Sequence, residues 1–241
     1  MIKNMQKVPA LILLALLTWT FSACDDLLGI KGKGDLVTEV RDVKNFHAVD
    51  IATNGQLELR VDSVFHVEVT CEESIIAYLE TINDNGTLKI HFDRDVYDVD
   101  NLKITVSAPS WDGVEISGSV DVDVPDAISG DKLDLRISGS GNMKIFNANF
   151  DEIRGIISGS GDIAIDGVAD HLKCTISGSG NLDALGCPVL TADVTITGSG
   201  DIRVDVSESL FVTISGSGNV EYRGNPAVNS NITGSGKVRK I

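Results

Sequence analysis

The sequence predicts an all-β, single-chain parallel β-helix (a β-solenoid) with about 18–21 residues per coil and a strand-rich N-terminal cap region. Two observations carry that expectation. An Ile-Ser/Thr-Gly-Ser-Gly motif recurs through the C-terminal half, and the residues flanking each copy alternate between apolar and polar. The expected division is a lipoprotein signal peptide at 1–23, a flexible tether at 24–34, a β-rich cap at 35–110 and the repeat solenoid at 111–241.

The N-terminal segment reads as a processing signal. Lys3 and Lys7 precede a mostly apolar run from Val8 to Thr20, and Phe21-Ser22-Ala23-Cys24 closes it with small residues before a cysteine. These are the positive, apolar and cleavage regions of an export signal. The run is short for a membrane-spanning helix, which needs roughly 20 apolar residues. The ending resembles a bacterial lipobox, although Phe21 stands where leucine is more usual. The resemblance implies lipidation of Cys24, which becomes the new N-terminus. Asp25 and Asp26 resemble the acidic surface-export signal of Bacteroidetes lipoproteins. Stable anchoring takes more than one acyl chain, a condition that a fully acylated cysteine meets. Leu27 to Gly34 then serves as the tether. The alternative is an ordinary signal peptide followed by an incidental cysteine.

Removing residues 1–23 leaves 18 basic and 35 acidic residues, a net charge of −17. A surface of that sign repels nucleic acid, and no basic patch or aromatic platform reverses it. Beyond Cys24 the cysteines are Cys71, Cys174 and Cys187, an odd number with no CxxC spacing. They are expected to be buried thiols, with a Cys174–Cys187 bridge left open.

Residues 35–110 read as strands at Val37–Val49, Leu57–Val69, Leu88–Phe92 and Leu102–Val106, with Asn54-Gly55 and Asn85-Gly86 as turn signals. Glu72–Thr81 reads as one short helix, with Ile75, Ile76 and Leu79 on an apolar face. This region lacks the repeat motif and suits the atypical terminal unit that a solenoid requires.

The repeats start at Ile116, Ile137, Ile157, Ile176, Ile196, Ile214 and Ile232, at intervals of 21, 20, 19, 20, 18 and 18 residues. Self-similarity near 20 residues marks a solenoid. Leu172/Cys174/Ile176 before a corner and Ile163/Ile165 after one show the period-two pattern of half-buried strands. Stacked coils lie roughly 4.8 Å apart, so each position forms a ladder with its equivalents. The glycines suit a sharp or crowded corner, and the Ser/Thr hydroxyls are expected to bond to the next coil or to the corner backbone. Lys237, Arg239 and Lys240 charge the last strand, which discourages edge-to-edge aggregation.

The residue after each corner gives a second ladder, Asn142, Asp162, Asn181, Asp201, Asn219 and Lys237. Asp never follows Asp. Adjacent carboxylates would repel, and an intervening Asn amide is expected to donate to both neighbours. The first five are the candidate ligand-binding residues. A calcium ladder of the nonapeptide type has a different spacing, so neither metal nor cofactor is expected.

Val40-Arg41-Asp42-Val43-Lys44-Asn45-Phe46-His47-Ala48-Val49, then Gly86-Thr87-Leu88-Lys89-Ile90, then Ile104-Thr105-Val106-Ser107-Ala108-Pro109, lead into the Ser-Gly-Ser-Gly repeats. That ordered series resembles the auto-transporter adhesin "head GIN" family over roughly residues 36–241. The resemblance implies an all-β solenoid envelope protein of Bacteroidetes.

Pectinase-like enzymes share the β-helix, so catalysis is the competing reading. Their Asn-Thr-Asp, Gly-His-Gly and Arg-Ile-Lys signatures are absent, and the only Asp-Asp is Asp25-Asp26. His47, His66, His91 and His171 are scattered. Asp162 and Asp201, two coils apart, stand near the roughly 6.5–9.5 Å separation of an inverting glycosidase pair, but their repetitive context favours a ladder. Asp121, Asp123, Asp126 and Asp131 form another acidic group that suits a solvated face or a weak cation site. Trp111, Tyr97 and Tyr222 are the few aromatic platforms for a sugar.

The expectation is a non-catalytic, surface-exposed outer-membrane lipoprotein, an adhesin or carbohydrate-binding protein without catalytic residues. Its partner would be a glycan or another host or envelope component. It would touch membrane through its lipid alone, bind no nucleic acid and stay monomeric. The alternatives are a polysaccharide-degrading β-helix enzyme and a structural envelope component without a soluble ligand.

Overall fold

A computed structural model describes residues 29–241. The expected signal peptide and Cys24 lie outside the described residues. Of the expected tether, β1 (Ile30–Lys31) is instead a strand, paired in parallel with β8 (Val96–Tyr97). Lys31 adds an ion pair to Asp98 at 2.8 Å. The chain is therefore docked on the body from Ile30 onward.

The N-terminal region folds as β2 (Leu36–Arg41), β3 (Ala48–Ala52), β4 (Asn54–Val61), β5 (His66–Glu72), α1 (Glu73–Ile76), β6 (Leu79–Asp84), β7 (Thr87–Phe92), β8 and β9 (Lys103–Ala108). Two of the expected strands are each split. The 37–49 run breaks between β2 and β3, where Asn45 takes a φ of 62°. The 57–69 run breaks at the exposed segment between β4 and β5. The expected helix is a single turn, because Leu79 is already committed to antiparallel pairing with Phe92. Asn85 and Gly86 both have positive φ, 52° and 90°, and turn β6 into β7. That is the backbone which the Asn-Gly hairpin signal requires.

Asn54-Gly55 is not a hairpin. It belongs to a solenoid corner, Ile51-Ala52-Thr53-Asn54-Gly55, between β3 and β4. β3 pairs in parallel with β7 on one side and with β10 (Gly113–Ile116) on the other. β4 likewise lies between β9 and β11 (Ser119–Val124). The coil made by β3 and β4 is thus stacked between two segments that both follow it in the chain, and the stack passes residue 110 without a break.

The repeats continue as β12 (Ile128–Ile137), β13 (Asn142–Ile157), β14 (Ile163–Ile176), β15 (Leu182–Gly198), β16 (Ile202–Gly216), β17 (Asn219–Arg223), β18 (Ala227–Gly234) and β19 (Lys237–Lys240), all in parallel register with their neighbours. The protein is a β-solenoid, of which the repeats from Ile116 to Ile232 make about 6 turns. In β13, buried residues alternate from Met143 to Ile145, resume at Ala148 and Phe150, and resume again from Ile153 to Ile157. Each slip of phase turns the strand while keeping apolar side chains inward. The corner isoleucines form one ladder: Ile90, Ile51, Ile116, Ile137, Ile157, Ile176, Ile196, Ile214 and Ile232. A single apolar core runs from Phe46 to Val220.

Crowding explains the corner glycines. A Cβ on Gly161 would run into the carbonyl oxygen of Gly141 and approach Ile137 Cγ2 to 2.9 Å. Of the corner glycines in these repeats, Gly198, Gly216 and Gly234 alone have positive φ. Corner-to-corner hydrogen bonds run between backbone groups, as from Ser160 N to Gly139 O at 2.9 Å and from Ser158 N to Ile137 O at 2.7 Å. The expected bonding by corner hydroxyls is not found among the described residues. The serines point outward and are exposed.

At the N-terminal end the parallel stack is closed by antiparallel strands, β6 on β7 and β5 on β9, with β2 beyond β5. Ile75 and Ile76 of α1 are buried in the same core. Cys71, Cys174 and Cys187 are buried free thiols, so Cys174 and Cys187 do not form the bridge left open by the sequence. Burial pushes the Cys174 thiol up to about 12, and burial with the nearby Asp166 charge pushes Cys187 up to about 11.

Candidate functional site

The strands that follow the corners lie side by side and turn alternate side chains outward. Their outer surface is a concave trough of about 1020 Å³ that runs along the coil axis. Of the candidate residues Asn142, Asp162, Asn181 and Asp201 line it, and Asn219 continues the same face one coil beyond. Register brings Asn142, Asp162, Asn181, Asp201 and Asn219 into a single column.

The column is longer than its repeats suggest. Asp121 is the partner of Asn142 and of Gln56, Gln56 is the partner of Lys103, and Asn219 is the partner of Lys237. The order along the stack is Lys103, Gln56, Asp121, Asn142, Asp162, Asn181, Asp201, Asn219, Lys237. A neutral amide separates every two charged rungs. Carboxylates therefore recur every second coil, about 10 Å apart, and a lysine stands at each end.

Hydrogen bonds along this column run one way. Asn142 Nδ2 donates to Asp121 Oδ1 at 2.8 Å, and the backbone N–H of Asp162 donates to Asn142 Oδ1 at 3.3 Å. Asn181 gives both its backbone N–H and its Nδ2 to Asp162 Oδ1, at 2.9 and 2.8 Å. Asp201 N donates to Asn181 Oδ1 at 3.0 Å, and Asn219 repeats the double donation to Asp201 Oδ1 at 2.7 and 2.9 Å. The expectation that each Asn amide donates to both neighbouring carboxylates is thus corrected. Its nitrogen serves the preceding coil, while its oxygen accepts a backbone N–H from the following one. The parallel register causes this, because the N–H at this position points to the preceding coil in every turn, whereas that of the next residue points to the following one.

One oxygen of each aspartate is spent and the other is free. Among the described residues, no hydrogen bond or ion pair engages Oδ2 of Asp121, Asp162 or Asp201. Each asparagine uses one N–H of its amide in the column, which leaves the second free. The trough floor thus presents a carboxylate oxygen and an amide N–H on alternate coils, held by bonds that need no ligand. Asp162 and Asp201 are separated by Asn181 and locked to different rungs.

A second outward column, missed in the sequence, lies two residues further along each strand. It includes Glu58, Asp123, Lys144, Asp183, Arg203, Glu221 and Arg239. Arg203 pairs with Asp183 at 2.9 Å and with Glu221 at 3.5 Å, and Arg239 also pairs with Glu221. The signal was the alternation of charge from Asp183 through Arg203 and Glu221 to Arg239 at equivalent repeat positions, which Ala164 separates from Lys144. The trough lining carries six carboxylates and three cations and is acidic overall.

The other candidates are elsewhere. The expected acidic group around Asp121 is dispersed: Asp121 joins the ladder, while Asp126 accepts the Val61 N–H at 3.0 Å. Among the described residues no three His, Cys, Asp or Glu side chains gather as a metal site. His47 is paired with Asp112 at 2.8 Å and His171 with Thr191 at 2.6 Å, outside the trough. Trp111 is buried, its Nε1 donating to Arg60 O at 2.9 Å, and cannot serve as a sugar platform. Tyr222 packs against the core, and Tyr97 sits on the N-terminal cap.

Residues 45–226 match the family model described as "Putative auto-transporter adhesin, head GIN domain". The chain belongs to that family. The match is narrower than the sequence resemblance and omits β1, β2, β18 and β19. Similar solved structures include a putative adhesin from Bacteroides fragilis, 24% identical with a TM-score of 0.84, spanning 88% of this chain and 100% of that one. A putative adhesin from Parabacteroides merdae is 24% identical with a TM-score of 0.73, over 88% and 98% of the two chains. A putative lipid binding protein from Parabacteroides distasonis is 22% identical with a TM-score of 0.74, over 88% and 99%. At these identities the likeness establishes the fold. No curated protein matches the chain.

Proposed function

We propose that this family member is a non-catalytic adhesin, a cell-envelope lipoprotein that binds a glycan or another surface component through the polar trough. One observation carries the reading. The trough presents a repeated set of hydrogen-bonding groups already fixed by the coil register, and pre-organised groups lose little entropy on binding. The family description supports an adhesive role at the cell surface. The export signal and Cys24 support attachment to the outer membrane through lipid. The carboxylates are paired with amides in a structural column rather than set as an acid and a base across a cleft, which argues against the pectinase-like reading.

The test is binding of purified residues 25–241 to an array of polysaccharides, mucins and host matrix proteins, with and without calcium. A reproducible and competable hit is expected, lost on changing Asn181 and Asn219 together to Ala in a protein that keeps its β-sheet circular dichroism. Unchanged binding in that variant removes the trough from the account. A blank array favours a structural role in the envelope.

A further inference from the structure

The trough has a direction, a period and a parity, and together they specify its ligand more closely than hydrogen-bonding character alone. It runs along the coil axis from Lys103 to Arg203, across six coil steps, on the order of 29 Å. Every coil contributes one rung, so a ligand lying in it meets a new polar group roughly every 5 Å. An extended polypeptide advances only about 3.3 Å per residue and falls out of step within two rungs. One β-1,4-linked pyranose advances by about one coil.

Parity agrees with period. In an extended β-1,4 chain successive rings turn over, so the same edge recurs at every second sugar. In the column the same group recurs at every second coil, with Asp121, Asp162 and Asp201 alternating with Asn142, Asn181 and Asn219. The free Oδ2 of each aspartate would face equivalent groups of alternate sugars, and the free amide N–H of each asparagine would face the rings between. The acidic lining repels a chain that carries carboxylates or sulfates and favours neutral or amine-bearing sugars. No aromatic side chain lines the trough, so no single sugar can be gripped by stacking. Affinity must accumulate over many weak rungs.

We propose that the trough binds a linear β-1,4-linked glycan lying parallel to the coil axis, with one sugar per coil, and selects uncharged or amine-bearing hexoses over uronates. This rests on the glycan-binding reading above and adds the class, orientation and charge of the glycan. The test measures binding of the intact protein by calorimetry. The probes are oligomers of β-1,4-linked glucose, N-acetylglucosamine, glucosamine and mannuronate, each from two to six sugars long. Affinity for the first three is expected to rise at least about tenfold from two sugars to six, with mannuronate at least about tenfold weaker than glucosamine of equal length. Changing Asp162 and Asp201 together to Asn should shrink the glucosamine-to-mannuronate difference several-fold while the length dependence remains. Thermal melting of the variant confirms its fold. Length-independent binding, or equal binding of mannuronate, overturns the proposal. Silence of every oligomer alongside a protein or branched-glycan hit on the array overturns this inference and leaves the adhesin reading intact. Silence of both overturns both.

Discussion

The backbone N–H and the side-chain Nδ2 of Asn181 converge on a single oxygen, Oδ1 of Asp162, in the coil beneath. One carboxylate oxygen thus ties down a main chain and a side chain together, and a charge on each second rung is neutralised by dipoles rather than by a counter-ion. Removing the amide should cost its own bond and orphan the N–H of Asp201. Asn181→Ala is expected to lose about 1–3 kcal/mol in denaturant unfolding. Asn181→Asp should lose more at neutral pH, because it places three carboxylates on consecutive rungs. Repulsion raises their pKa in the folded state, so the excess loss should shrink as pH falls and as salt rises. Equal stability of the two variants across pH would show that the charges do not interact along the column.

The corners separate crowding from hydroxyl chemistry. Gly161→Ala forces a methyl against the Gly141 carbonyl and is expected to cost upwards of about 3 kcal/mol. Ser160→Ala, one residue away, should stay within about 0.5 kcal/mol, because its hydroxyl is exposed and holds no partner among the described residues. Urea midpoints of the two variants, measured side by side, decide the point.

Ile51 tests the hidden coil. It is buried between Ile90 and Ile116, and Ile51→Ala should cost about 2–5 kcal/mol. Ile232, at the other end of the same ladder, is exposed, and Ile232→Ala should cost about 1 kcal/mol or less. Comparable losses would place Ile51 in a loosely attached cap.

The thiols give a pH signature. Burial raises Cys174 from 9.0 to about 12, so the folded protein holds a proton that the unfolded chain releases above pH 9. Stability from this group is complete below about pH 9 and declines as pH rises toward 12. Cys174→Val should reduce that slope, leaving the share of Cys71 and Cys187, at small cost to stability, and iodoacetamide should label Cys174 only after unfolding.

The isoleucine ladder, the alternating strands and the rung from Asn142 to Asn219 were all legible, because stacking repeats an environment and repeats the residues that fit it. The coil at Ile51 was not. Its first corner position is Thr53 rather than Gly, since the chain beneath it leaves the stack after Phe92 and returns only at Lys103. With no corner below, a Cβ has room and the signature disappears. Gln56 and Lys103 were missed as rungs because their neighbours in the stack are not their neighbours in the repeat, and Asp121, which does precede Asn142 at repeat spacing, because Val120 stands where later corners carry their second glycine. The direction of hydrogen bonding was also hidden, because Asn offers donor and acceptor alike and only the backbone register decides which way each points.

The alternation of the trough floor restricts how such a protein can lengthen in evolution. Duplicating one coil of about twenty residues would set Asp on Asp or Asn on Asn at the new junction and strand an acceptor or a donor there. Duplicating two coils restores the order at every step. Descendants of this chain that grow by internal duplication should therefore gain repeats in pairs, and the reach of the face they present should change in increments of two rungs.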